Sequence, residues 1–216
     1  MKSISGVIIA LGLALFTGCG DKGSKQSRDS MAAMAKELGG SFSSGILDLS
    51  DTEVTDAGLE QLKGVTGLEA LALGAKVTDA GLEHLKGLTG LKWLGLHDTE
   101  VTGAGLEHLK GLTGLETLVL GAKVTDTGLE HLKGLTGLNT LSLSSAEITD
   151  AGLVHLKGLA GLKMLSLEIT EITDAGLEHL KGMTGLTFLQ LFGTKVTDNG
   201  VNKLQAALPK CFINVL

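Results

Sequence analysis

The stretch LKWLGLHDTEVTGAGLEHLKGLTG, residues 91–114, carries two different apolar periods in 24 residues. Through Leu94-Gly-Leu96 the apolar side chains alternate, so both leucines point one way and Trp93, Gly95 and His97 point the other, as in a short strand. After Val101 the spacing changes to three, with Leu106, Leu109 and Leu112 forming one buried helical face. Thr102 stands where a side-chain oxygen caps that helix, and in most copies the next residue is Asp, suited to the positive N-terminal end. Each unit therefore reads strand, turn, helix, loop.

The unit recurs along the chain. Leu68, Leu91, Leu115, Leu138, Leu162 and Leu186 open successive copies, at intervals of 23, 24, 23, 24 and 24 residues. No single copy can bury its leucines, so the copies must stack into a solenoid with parallel strands on one side and helices on the other. Strands pack ~4.8 Å apart and helices ~8 to 10 Å apart, so the stack curves with the strands inside. Eight strands are expected, centred near Leu47, Leu71, Leu94, Leu118, Leu141, Leu165, Leu189 and Ile213, with seven helices between them. Before them Met31, Met34, Ala35 and Leu38 lie at helical spacing, predicting a capping helix within 31–43.

The recurring Leu-x-x-Leu-x-Leu opening resembles that of leucine-rich-repeat proteins, over residues 44–216. The resemblance implies an α/β solenoid with a curved parallel sheet on its concave side and helices on its convex side, and a usual role in binding other proteins. It also implies a Thr, Asn or Cys three residues after the second strand leucine, bonding backbone between turns. Thr52, Thr99, Thr170 and Thr194 fill that position, Ala146 does not, and two copies lose a residue there, at 74–76 and 121–123. Regularity of that corner is therefore in question.

Composition fits a repeat protein and narrows the function. The 216 residues include 32 Gly, one Pro and no Tyr, and 43% are hydrophobic, which is too apolar for a disordered chain. Eighteen basic against 24 acidic residues give a net charge of -6, and Arg28 is the one arginine. That balance argues against nucleic acid as a partner.

The N-terminus reads as an export signal: a basic Lys2, then an apolar run from Val7 to Phe16. Ten apolar residues span only ~15 Å as a helix, half of a ~30 Å hydrocarbon core. The run ends in LFTGC, residues 15–19, which resembles the lipobox of bacterial lipoproteins, although Phe16 stands where that family usually has Leu. This resemblance implies cleavage before Cys19 and acylation of its thiol. The expected layout is a signal peptide at 1–18, a lipidated Cys19 with a flexible tether to residue 30, the capping helix at 31–43 and the repeats at 44–216. The chain would then sit in the cell envelope, periplasmic or surface-exposed. A plain secretion signal, giving a secreted chain, is the alternative. Gly18, Gly20 and Gly23 match a dinucleotide-loop spacing, but no strand precedes them and the expected cut falls inside the match. With Cys19 acylated, Cys211 has no partner for an intramolecular disulfide, and it reads as a small buried apolar residue.

Residues repeated in every copy are scaffold, so specificity is sought where outward positions differ. The first column of the inner sheet face is Ala70, Trp93, Thr117, Thr140, Met164, Phe188 and Phe212; the second runs through Gly95, Ser142, Ser166 and Gln190; the third includes His97, Ser144, Glu168, Phe192 and Leu216. Trp93, His97, Met164, Glu168, Phe188, Gln190, Phe192 and Phe212 are the candidate protein-binding residues. Apolar side chains gather at the C-terminal end, as a contact site or as a shield for the last strand. A third reading joins two copies through the edge at Cys211 to Leu216, making a homodimer or a self-associating structural envelope protein.

Five histidines repeat at one helical position, His84, His108, His131, His155 and His179. Two imidazoles on an open, solvated row lack the closure of a metal site, so no metal or other cofactor is expected. His97 and Glu168 share a column, but three strands, ~14 Å, separate them. No paired carboxylates, activated nucleophile or phosphate loop is present, and the chain is read as a non-enzymatic recognition module.

Overall fold

The computed structural model describes residues 25–215. The expected signal peptide, Cys19 and Leu216 lie outside the described residues. The first element, α1 (Lys25–Glu37), turns Met31 and Ala35 into the core, with Met34 and Leu38 packed beside them. It begins six residues ahead of the expected capping helix and takes in the second half of the stretch read as tether. Gly39, at φ 77°, ends it in the left-handed conformation that glycine adopts without a Cβ penalty.

Nine strands form one sheet in sequential order, one more than the eight expected. The extra strand is β1 (Ser41–Ser43), which pairs antiparallel with β2 (Ile46–Leu49) across a two-residue turn at Ser44 and Gly45. Both turn residues have positive φ, 51° and 81°, as a primed hairpin turn requires. From β2 onward every pairing is parallel. The strands are β3 (Ala70–Leu73), β4 (Trp93–Gly95), β5 (Thr117–Val119), β6 (Thr140–Ser142), β7 (Met164–Ser166), β8 (Phe188–Gln190) and β9 (Phe212–Asn214). Leu47, Leu71, Leu94, Leu118, Leu141, Leu165, Leu189 and Ile213 stand opposite one another in register, at the expected centres.

The opposite side differs from the expectation of α-helices. Among the described residues only α2 (Asp79–Leu82), α3 (Asp174–Leu177) and α4 (Asp198–Ala207) are α-helical there; the remaining connections are 3-10 helices, such as Ala104–Leu109 and Gly152–Gly158. The leucine spacing favours this without deciding it, because the copies with α2 and α3 carry the same spacing. Leu106, Leu109 and Leu112 recur every three residues, which matches the 3.0-residue turn of a 3-10 helix and drifts off one face of an α-helix. In the last copy Val201, Leu204 and Leu208 are spaced three and four, and that segment forms a ten-residue α-helix.

Successive copies are stitched by a row of carboxylates. Asp56 accepts hydrogen bonds from the Thr78 backbone N–H and hydroxyl at 2.8 and 2.7 Å. The arrangement repeats for Asp79 with Thr102, Asp126 with Thr149, Asp150 with Thr173 and Asp174 with Thr197. Each Asp, read in the sequence as a local helix-terminus charge, thus acts one copy ahead. Five of the threonines cap as expected, as where the Thr102 hydroxyl accepts from Ala104 N–H at 3.2 Å, whereas Thr125 makes no such bond. Bonds from Thr197, its backbone N–H first, hold the Asp174 carboxyl below the usual carboxylate range. A Cβ at Gly81, Gly105, Gly152, Gly176 or Gly200 would collide with the Asp carboxylate of the preceding copy, so these glycines make room for the stitch. Gly103 interrupts the row, and there the Gly103 and Gly128 backbones approach too closely for any side chain.

The corner threonines act locally rather than between turns. Thr52, Thr99, Thr170 and Thr194 each donate to the carbonyl three residues back, at 2.6 to 2.8 Å. Backbone makes the bonds between turns instead, as from Glu100 N–H to Val77 O at 2.9 Å and from Glu147 N–H to Val124 O at 3.0 Å. Ala146 keeps the same turn through its N–H to Leu143 O, so the corner stays regular without the hydroxyl.

Candidate protein-binding face

Alternation along three-residue strands places the central leucine in the core and its two neighbours on the inner sheet face. What those neighbours do depends on size. Trp93 was expected to stand exposed; it is 1% exposed, laid flat along its own strand over Gly95 and packed with Ala70, Ala72, Val119 and Ile46. Any Cβ at Gly95 would strike the indole. The small residues of β3 and β4 let the ring lie down, and its Nε1 has no hydrogen-bond partner. His97 is tied to its own turn, with Nε2 2.7 Å from Asp98 Oδ2. The structure therefore does not bring Trp93 and His97 together with the other candidates.

The remaining six candidates form one region at the C-terminal half of the face. Met164, Phe188 and Phe212 are register neighbours on β7, β8 and β9. The Phe188 and Phe212 rings stack at 5.7 Å with 15° between their planes. Phe212 is 62% exposed, Phe192 is 41% exposed, and Met164 is also exposed. Between the apolar columns the floor is polar. Ser144 Oγ lies 3.2 Å from Ser142 Oγ and 2.8 Å from Ser166 Oγ, and Gln190 Nε2 donates to Glu168 Oε1 at 3.1 Å. Thr140, Ser142, Met164, Ser166, Phe188 and Gln190 line a shallow hollow. Glu168 is buried, and burial pushes its carboxyl above the usual value.

Sequence reasoning missed Ile169. It is 59% exposed and holds φ at 56°, a left-handed conformation that is a genuine outlier for a β-branched residue. The equivalent residues in flanking copies are Ser145 and Gly193, also at positive φ, 62° and 71°. Ile169 donates its N–H to Phe192 O at 2.8 Å, so it extends the apolar region at its rim. Comparing that column across copies would have exposed the anomaly: a branched residue at a position whose counterparts are small. Such strain persists where function retains it, at about 1 to 2 kcal/mol. Ile169→Asn is accordingly expected to raise stability by roughly 1 kcal/mol, read as a higher Tm, because Asn tolerates this conformation. A lower Tm would mean that Ile169 packing outweighs its strain.

The other candidates behave as scaffold. The five repeated histidines are half-buried, and among the described residues no group of three or more His, Cys, Asp or Glu is placed to hold a metal ion. Cys211 is buried in the core, which raises its thiol pKa.

Comparison with known proteins agrees with this architecture. The leucine-rich-repeat family model matches residues 46–63 and 135–156. No curated protein matches the chain. Among solved structures, an internalin C2 from Listeria monocytogenes is 29% identical, with a TM-score of 0.63 over 78% of this chain and 69% of that one. An internalin from the same organism is 21% identical, with a TM-score of 0.52 over 87% of this chain and 61% of that one, a likeness of fold alone. The parallel sheet, the repeated leucine ladder and these likenesses together make the chain a leucine-rich-repeat solenoid, similar over its repeats to a bacterial internalin.

Proposed function

We propose that the chain is a non-enzymatic, exported protein-binding module that holds a partner on the C-terminal half of its inner sheet face. The observation that carries this reading is the exposure of Met164 and Phe212 on one side of a polar floor and of Ile169 and Phe192 on the other. Apolar side chains gathered in water are unfavourable unless something covers them, and an apolar cluster with polar surroundings is the anatomy of an interface core. Leucine-rich-repeat proteins such as internalins commonly serve as interaction modules, which supports the same reading. Immobilised chain should retain one protein from an envelope extract, at a fixed stoichiometry and in competition with free chain. No retention, together with a mass that rises with concentration and falls back in Phe212→Ser, would replace this reading with self-association.

The same proposal places the module on a membrane through acylated Cys19, beyond a signal peptide at 1–18. Among the described residues no helix is long and apolar enough to cross a membrane. The protein extracted from its native membrane fraction is expected to have the mass of a chain starting at Cys19 plus acyl groups. A cleaved, unacylated chain in the medium would make it a secreted binder instead.

A further inference from the structure

Glu168 stands apart from the other acids that face a neighbouring copy. Glu53, Glu100 and Glu171 each pair with the lysine of the next copy, Lys76, Lys123 and Lys195, and Glu69 pairs with Lys92. Where Glu168 meets the next copy it finds Phe192, and where it meets the previous one it finds Ser144. It is only 4% exposed; among the described residues its sole side-chain bond is the one from Gln190 to Oε1, and Oε2 accepts none and opens to solvent. A recessed carboxyl with a neutral donor on one oxygen and the other open at the surface has been partly desolvated without gaining a cation.

Its surroundings set what can reach it. Lys and Arg carry an apolar stem behind a charged head and can therefore reach a carboxyl that is itself only slightly exposed. Phe192 and Ile169 offer that stem apolar surface beside the carboxyl. Four residues back along the same strand direction, ~13 Å away, lies the column of Met164, Phe188 and Phe212. An extended segment spans that distance in four positions at ~3.3 Å each. The net charge of -6 favours the approach of a basic segment.

We propose that Glu168 receives the cationic side chain, Lys or Arg, of an extended partner segment, and that a large apolar residue four positions from it seats on Met164, Phe188 and Phe212. This rests on the reading of the face as a protein-binding surface and names the chemistry of what it binds. The cation supplies a charge-assisted hydrogen bond to Oε2, at a carboxyl whose other oxygen is already held by Gln190. Its raised carboxyl pKa fits a group that lacks its counter-ion.

The test uses the full chain and fluorescein-labelled peptides of Gly and Ser carrying one Arg and one Phe four positions apart. Controls replace Arg with citrulline, which keeps shape and removes charge, or shorten the spacing to two. The Arg peptide should bind at least about tenfold more tightly than the citrulline peptide, the range of a hydrogen bond to a charged group. Glu168→Gln keeps the acceptor for Gln190, so the fold should hold with an unchanged Tm. That variant should bind the Arg peptide no better than the citrulline one, with citrulline affinity unaltered. Equal binding of Arg and citrulline peptides, an Arg preference that survives Glu168→Gln, indifference to spacing, or no binding at all would each overturn the proposal. The face reading fails separately, if capture of an envelope protein persists when Phe188 and Phe192 are both replaced.

Discussion

Leu118→Ala is expected to lower the free energy of unfolding by about 3 to 5 kcal/mol, the upper part of the range for buried leucine truncations. Leu118 is fully buried at the centre of β5, with Leu94 opposite it on one side and Leu141 on the other. The cost of such a change depends on how far the surroundings can collapse into the space. Here they cannot move far. The neighbouring leucines belong to rungs held at strand spacing by continuous hydrogen bonding on both sides, and the backbone bonds at the corner fix the opposite side of the same turn. Because each copy touches only its neighbours, damage at the centre also weakens the coupling between the two halves. Urea unfolding followed by circular dichroism and by fluorescence of Trp93, the one tryptophan, reads both effects. The transitions should coincide in the native sequence and separate in Leu118→Ala, with Trp93 reporting the N-terminal half. A loss below about 1 kcal/mol would mean that the rungs close on the gap, against the packing argument.

The leucine ladder was legible because one physical requirement, burial at a fixed register, is written at the same place in every copy. Leu94, Leu118 and Leu141 could be aligned by spacing alone, and the sheet follows. The 3-10 character of the connections was equally present in the spacing of Leu106, Leu109 and Leu112, but a face repeating every three residues was read through the commoner helix. Features written once, or across copies, were harder. Ser44 and Gly45 turn a hairpin outside the repeat, where no second copy confirms it. The bonds from Thr102 to Asp79 join residues 23 apart, although each residue also makes sense within its own copy. For the candidate face, alternation chose the correct columns, but exposure depended on what stood beside each residue. Gly95 lets Trp93 lie flat and disappear, whereas Phe188 and Phe212 hold each other upright as a stacked pair. Ile169 was invisible because its oddity lies in its backbone, and only comparison with Ser145 and Gly193 shows that the position requires positive φ.

Phe188→Ser combined with Phe192→Ser is expected to abolish partner capture while leaving the folded signal intact. The two rings sit in different columns, four residues or ~13 Å apart along the strand direction, so they meet different parts of a partner. Aromatic anchors at the centre of an interface typically cost 2 kcal/mol or more on truncation, about 30-fold in affinity each. Separated sites without shared contacts add, so the pair should lower affinity by about three orders of magnitude. The cost to the fold is smaller. Phe192 is 41% exposed and stands outside the buried cluster; Phe188 is half-buried, and its replacement forfeits a stacking contact with Phe212 worth about 1 kcal/mol. The core leucine of that strand, Leu189, stays fully buried between Leu165 and Ile213 in either variant. Circular dichroism and thermal melting should therefore be close to those of the native chain. If both single variants unfold instead, the rings shield the end of the sheet and the C-terminal half of the face is cap rather than contact. If both fold and capture survives, the partner binds elsewhere, and the exposure of these rings needs another cause.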